Sequence, residues 1–150
     1  MIIIEDTRQQ AGKHKKKHQW WDENNVELLR CKLPFGDYSL PPKVVVDTKA
    51  NLTEIATNMC GAFKEQHRFK EECTRARDSG CKLVFLIETK NEQIFGANIR
   101  LGNGRFIKGE QLITAMSTMH ERYGCDFVLV KPENAAEKVI EILENGNEQE

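Results

Sequence analysis

The sequence predicts an α/β domain, a mixed sheet flanked by helices, with an early β-hairpin. Three observations carry this expectation. Short apolar runs of strand length, IIIE at the start, VVV at 44–46 and KLVFLIE at 82–88, alternate with longer segments of helical periodicity. Pro41-Pro42 sits between two strand-like segments and predicts a tight reversal. An early hairpin excludes a purely parallel, doubly wound sheet.

In chain order, Ile2 to Glu5 is a short apolar run bounded by polar residues and reads as a buried strand. Trp20-Trp21 predict a first helix, with one tryptophan turned into the core. Val26 to Leu33 reads as a second strand, Pro34 and Gly36 as a bend, Tyr38 to Leu40 and Val44 to Thr48 as the hairpin. Leu52, Ile55, Ala56, Met59, Cys60 and Phe63 recur at helical spacing, with Asn51 placed to cap the helix. The charged helical stretch runs to about Arg77. KLVFLIE is the clearest strand. Asn91 to Lys108, with Gly96, Gly102 and Gly104, reads as a loop or loose ribbon, and Gly102-Asn103-Gly104-Arg105 as a turn, not a phosphate loop. A helix over Glu110 to Tyr123, a strand over Asp126 to Val130 and a helix over Glu133 to Leu143 started by Pro132 complete the chain. The absence of linkers or repeats predicts one domain over 1–144, with 145–150 as a disordered acidic tail.

Composition narrows the function classes. With 150 residues, 39% hydrophobic and 30% charged, the chain has the make-up of a soluble globular domain. It lacks the run of about 18 apolar residues that a membrane span needs. The opening MIIIEDTRQQ does not have the form of a signal peptide, so a cytoplasmic location is expected. Five cysteines without a C-x-x-C pair argue for reduced thiols and against structural zinc. The net charge of −1 is neutral on nucleic acid, but KHKKKH at 13–18 concentrates Lys13, Lys15, Lys16 and Lys17 where they could meet phosphates. The alternative for that run is a solvated helix start.

The chemistry concentrates in FGDYSLPPKVVVDTK, Phe35 to Lys49. A hairpin there brings Asp37 and Asp47 onto adjacent strands, where two carboxylates can converge on one cation. Lys49 lies two residues after Asp47 and so shares its face of the strand. Two acids and a lysine suit a Mg2+- or Mn2+-dependent phosphodiesterase: the metal needs only a few oxygen ligands besides water and substrate phosphate. Either motif alone, a D-x-K after valines or a Gly-Asp-Tyr turn, also arises by chance.

The order of motifs is more specific. IIIEDTRQ, KLPFGDYSL, VVVDTK, HRFKEECTR and LVFLIE follow one another from Ile2 to Glu88. This series resembles the XPF/Hef group of PD-(D/E)XK structure-selective DNA nucleases, in a short version similar to phage and bacterial members. The resemblance implies a restriction-endonuclease-like fold and a metal-dependent DNA endonuclease acting in DNA repair or recombination. It implies metal ligation by Asp37, Asp47 and Asp6, with these and Lys49 forming the catalytic group. It further implies that Arg8, Arg68 and Arg75 face DNA phosphates, with Phe69 completing the R-F element, and that Gln9 and Glu88 stand just behind the metal ligands. Relatives often dimerise and prefer branched or junction DNA.

Three positions depart from the family pattern. Gln9 replaces a glutamate, Thr48 replaces the arginine of E-R-K, and Thr53 stands at a position that is acidic in the family, with Glu54 beside it. These departures motivate the alternative expectation: a non-catalytic junction-binding or scaffolding domain with a weakened metal site.

Overall fold

The computed structural model describes residues 2–6, 14–30, 33, 36–40, 44–91 and 93–148. Arg8, Gln9 and Lys13, the bend at Pro34 and the Pro41-Pro42 reversal lie outside the described residues. The main sheet contains β1 (Ile2–Glu5), β2 (Glu27–Arg30), β3 (Tyr38–Leu40), β4 (Val44–Lys49), β5 (Lys82–Glu88) and β8 (Asp126–Val130). Their spatial order is β2-β1-β3-β4-β5-β8. β3 runs antiparallel to both β1 and β4, and the other pairings are parallel. The carboxyl ends of β1, β4, β5 and β8 therefore lie along one edge of a mixed sheet. Ligands of open α/β sheets gather at such an edge.

Alternation along the strands divides the core into two layers. Val45, Phe85 and Ile87 pack under α2 (Leu52–Cys60), α3 (Phe63–Asp78) and α4 (Gly109–Tyr123), where Leu112 and Met119 are also buried. Val44, Val46, Val84 and Leu86 pack on the opposite face with residues of α1 (Lys15–Glu23) and α5 (Ala135–Glu148). Trp21 is the tryptophan turned inward: it is fully buried, and its Nε1–H donates to the Ala136 carbonyl at 3.1 Å.

The structure departs from the sequence expectation at two helices. The long charged segment after Asn51 is two helices, broken at Gly61-Ala62. A β-carbon at Gly61 would lie 2.4 Å from the Thr57 carbonyl oxygen, so only glycine fits the reversal. The break turns Phe63 out of the apolar stripe and leaves it 84% exposed, while Phe69 moves in against Phe85, with ring centroids 4.8 Å apart.

The second departure is at the C-terminus, where residues expected as a disordered tail continue α5 as far as Glu148. A 3-10 turn, Pro132–Asn134, precedes that helix. Here the helix lies so close to β4 that a β-carbon at Gly146 would come within 2.0 Å of Val44 Cγ2. Asn98–Arg100 (β6) and Phe106–Lys108 (β7) form the expected ribbon, closed by the glycine-containing turn.

Gly146→Val should push the last turn of α5 from β4 and destabilise the protein by about 1–3 kcal/mol in urea denaturation, as overpacking does. Asn145→Ala, at an exposed neighbour, should change stability by no more than about 0.5 kcal/mol.

Candidate active site

Asp37 and Asp47 are brought together by strand register. Tyr38 pairs with Val46, and Asp37 and Asp47 flank that pair at the same end of the two strands. The Asp37 N–H donates to the Val46 carbonyl at 2.8 Å, and its own carbonyl accepts from the Asp6 N–H at 2.7 Å. Asp37 thus ties β1 to β4 at the active edge. Gly36, with φ +73°, makes the preceding bend; a β-carbon there would lie 2.1 Å from Val45 Cγ1.

Thr48 has a role that its mismatch to the family pattern concealed. Its backbone N–H and its hydroxyl both donate to Asp37 Oδ2, at 2.6 and 2.8 Å. In place of a positive charge, the threonine brings a hydroxyl that joins its backbone N–H in fixing this carboxylate. Charge-assisted bonds of this kind are among the stronger ones in proteins.

On the face of β4 toward α3, Asp47 and Lys49 open into a cavity of about 260 Å³. From α3 it is lined by Arg68, Phe69, Glu72 and Arg75, together with Glu65, and from α2 by Asn58. Lys49 Nζ lies 3.5 Å from Asp47 Oδ1 and 5.7 Å from the centre of the Phe85 ring. Glu72 was not singled out in the sequence. It lines the cavity with Asp47, and its Oε2 accepts a long bond from the Gly36 N–H at 3.4 Å.

The electrostatics follow from burial. Asp37 is pushed up to about 7, first by loss of water and then by the charge of Asp47; the Thr48 hydrogen bonds and Lys49 pull the other way. Asp47 is also raised, chiefly by burial, which Lys49 opposes and Glu72 reinforces. For Lys49, burial acts to lower the value, yet Asp47, Glu72, Glu54 and Asp37 together outweigh it and hold the ammonium above its ordinary range. Lys49 is therefore built as a cation in this geometry, not as a neutral base.

Several expected partners lie elsewhere. Asp6 is buried next to Asp37, but its Oδ1 accepts the Leu33 N–H at 2.9 Å, and it does not line the Asp47 cavity. The three aspartates do not form one cage: among the described residues, no group of three His, Cys, Asp or Glu side chains is placed to hold a metal ion. Glu88 follows Leu86 on the opposite face of the sheet. There its Oε2 meets Lys17 Nζ at 2.7 Å. Lys17 is 5% exposed and so is part of the interior, not of a phosphate-contacting surface; Lys15 and Lys16 are exposed. Glu54 accepts from the Ala50 N–H at 2.9 Å, and its own N–H donates to the Asn51 Oδ1 that caps α2.

The donors in and beside the cavity suit a hard divalent cation. They are carboxylate oxygens and the buried Asn58 Oδ1, which has no hydrogen-bond partner in this structure. Mg2+ is commonly held by only one or two carboxylates, the rest of its shell being water and substrate phosphate, so a three-acid cage is not required.

Comparison with known proteins agrees with this geometry. Curated proteins give no match. Among solved structures, the chain is similar to XPF from Aeropyrum pernix, with a TM-score of 0.68 at 15% identity over 99% of this chain and 66% of that one. It is equally similar to XPF from Aeropyrum pernix in a complex with DNA: TM-score 0.69, 16% identity, 98% of this chain and 65% of that chain. The chain thus spans just under two-thirds of the length of these structural relatives. No helix among the described residues is long and apolar enough to cross a membrane. Residues 5–143 match the ERCC4 domain, so the chain belongs to the ERCC4-domain family.

Proposed function

We propose that this domain is a metal-dependent DNA endonuclease that hydrolyses phosphodiester bonds, with branched or single-strand/duplex junction DNA as its substrate. The observation that carries this reading is the meeting of Asp47 and Lys49 with Arg68 and Arg75 in one cavity. It combines acids for a cation with three positive side chains for a phosphodiester.

Asp47, with Asp37 beside it, would hold Mg2+ or Mn2+. The bound ion supplies Lewis-acid polarisation of the phosphoryl oxygen and acidifies a water molecule. The protein's own groups do the rest. Thr48 holds Asp37 in one orientation, so that strand β4 and the bend at Gly36 set the carboxylates before substrate arrives. The protonated Lys49 neutralises charge developing on the phosphate, a role favoured by its buried, low-dielectric surroundings. Arg75 and Arg68 position the flanking phosphates, with Arg68 exchanging its ion pair with Glu65 for one to DNA. Lys15 and Lys16 add electrostatic attraction from α1. A homodimer is a way to extend the grip on duplex DNA.

The scaffolding alternative shares the fold and the DNA contact but not the chemistry. The raised Asp37 and Asp47 favour the catalytic reading, because two buried acids kept beside a lysine have a purpose when a cation neutralises them.

Labelled fork, flap and duplex DNA should be cut with Mg2+ or Mn2+ and left intact with EDTA. Asp47→Ala should lower the rate by about 100-fold or more, as loss of several kcal/mol of metal stabilisation does. Equal cleavage by this variant would overturn the assignment, and intact binding without any metal-dependent cleavage would favour the scaffold. In filter-binding titrations, Arg75→Ala should weaken binding to all DNA forms and reduce the salt slope by about 1.

A pH dependence follows from Asp37. Its folded-state value lies above its ordinary value of 3.8, so the folded protein holds the proton longer than the unfolded chain. This contribution is complete below about 4 and is lost as pH rises through about 7. In EDTA, Asp37→Asn should therefore gain in melting temperature relative to wild type as pH is raised from 4 to 8. A constant difference across that range would contradict the burial of a titrating Asp37.

A further inference from the structure

The family resemblance leaves the site short of acid. Gln9 and Thr53 stand where the family pattern is acidic, and Asp6 is engaged by Leu33. The structure brings in a carboxylate from a different element. Glu72 extends from the middle of α3 into the cavity that holds Asp47 and Lys49. It lies one helical turn from both Arg68 and Arg75, on the face of α3 that meets β4.

We propose that Glu72 is a metal-binding residue of this site, acting with Asp47 and with the buried Asn58 Oδ1 that has no hydrogen-bond partner. This rests on the catalytic reading above and adds to it a ligand set drawn from three elements: β4, α3 and α2.

Three features support the assignment. First, Glu72 and Asp47 line the same cavity beside Lys49. Two carboxyl groups meeting in a cavity beside a lysine repel one another unless a proton or a cation lies between them. A divalent cation bound there would satisfy both groups. Second, Asn58 contributes an oxygen that is already shielded from solvent and has no protein donor to lose. A carboxamide oxygen is an ordinary ligand for a hard cation, and an unpaired buried acceptor is costly until something meets it. Third, among the described residues the Glu72 carboxylate accepts from the Gly36 N–H, and that bond is long at 3.4 Å. It steers Glu72 toward the hairpin without committing it strongly.

The neighbouring Glu71 provides the internal contrast. It is exposed and paired with His67 at 3.0 Å, outside the Asp47 cavity. A negative charge at position 71 thus has the same general effect on α3 but no access to the ion.

The assignment also gives α3 two functions on one face. Arg68 and Arg75 would meet phosphates, and Glu72 between them would hold the ion. Metal and DNA would then be read by adjacent turns of a single helix, and the spacing of four and three residues places all three groups side by side.

The test is Mn2+ binding to the full chain by titration calorimetry in the absence of DNA, with Mn2+ electron paramagnetic resonance as a second readout. Wild type, Asp47→Asn, Glu72→Gln, Asn58→Ala and Glu71→Gln are compared, each first checked for a cooperative melt in EDTA. Glu72→Gln is nearly isosteric and removes a charge from a crowded acidic site, so its fold should persist. The expected result is a loss of Mn2+ affinity of about tenfold or more for Glu72→Gln and for Asp47→Asn, a smaller loss for Asn58→Ala, and wild-type affinity for Glu71→Gln. Wild-type affinity in Glu72→Gln, alongside weakened binding in Asp47→Asn, would overturn the role of Glu72 and leave the Asp47 site standing. No Mn2+ binding by the wild type would overturn both. Equal losses in Glu71→Gln and Glu72→Gln would reduce the effect to general charge and also overturn the proposal.

Discussion

Two carboxylates at the same end of adjacent strands, drawn out of water, are the constraint around which this domain is arranged. Like charges close together on adjacent strands destabilise a sheet, and burial adds to that cost. Asp37 and Asp47 nevertheless occupy such positions, and the surrounding elements offset them individually. Thr48 binds Asp37 with two donors, Lys49 stands 3.5 Å from Asp47, and the close bend at Gly36 holds the strands in register. The antiparallel insertion of β3 between β1 and β4 makes the arrangement possible, because it alone sets the Gly-Asp turn beside the carboxyl end of a parallel strand.

The sheet separates chemistry from anchoring by strand alternation. Asp47 and Lys49 share the face of Val45, under α3. Glu5 and Glu88 occupy the other face, where His18 and Arg30 meet Glu5 at 2.6 and 3.1 Å and Lys17 meets Glu88. The latter pairs attach α1 and β2 to the sheet. Their stabilising effect is modest, since desolvation of buried ions consumes much of the attraction, but breaking one would leave a buried charge uncompensated. The basic run KHKKKH is thus divided: Lys17 serves the interior, and Lys15 and Lys16 face solvent.

The hairpin and the strands were legible because period-two alternation and flanking Gly and Pro are local signals. The Asp47–Lys49 pair was legible for the same reason: residues i and i+2 share a face whatever else the chain does. Other features required the third dimension. Gly61 breaks a helical stripe that is continuous in sequence, and the rotation that follows exposes Phe63 and buries Phe69. Lys17 and Glu88 are 71 positions apart, and nothing local marks either as buried. Glu72, in the charged run KEE, reads as one more solvated helix residue until α3 is laid against β4. Thr48 looked like a lost arginine, since a sequence cannot show which side chain its hydroxyl meets. The helical end of α5 was hidden because its acidic composition signals a solvated tail, whereas Gly146 permits a close approach to Val44.

The central claim is that the Asp47 cavity is a divalent-cation site. Its most direct test is anomalous diffraction at the manganese edge from crystals of the chain grown with Mn2+. The account predicts an anomalous peak within coordination distance of an Asp47 carboxylate oxygen, near Lys49 and between β4 and α3. Ordered manganese bound only elsewhere, with Lys49 still on Asp47 and no peak in the cavity, would contradict it.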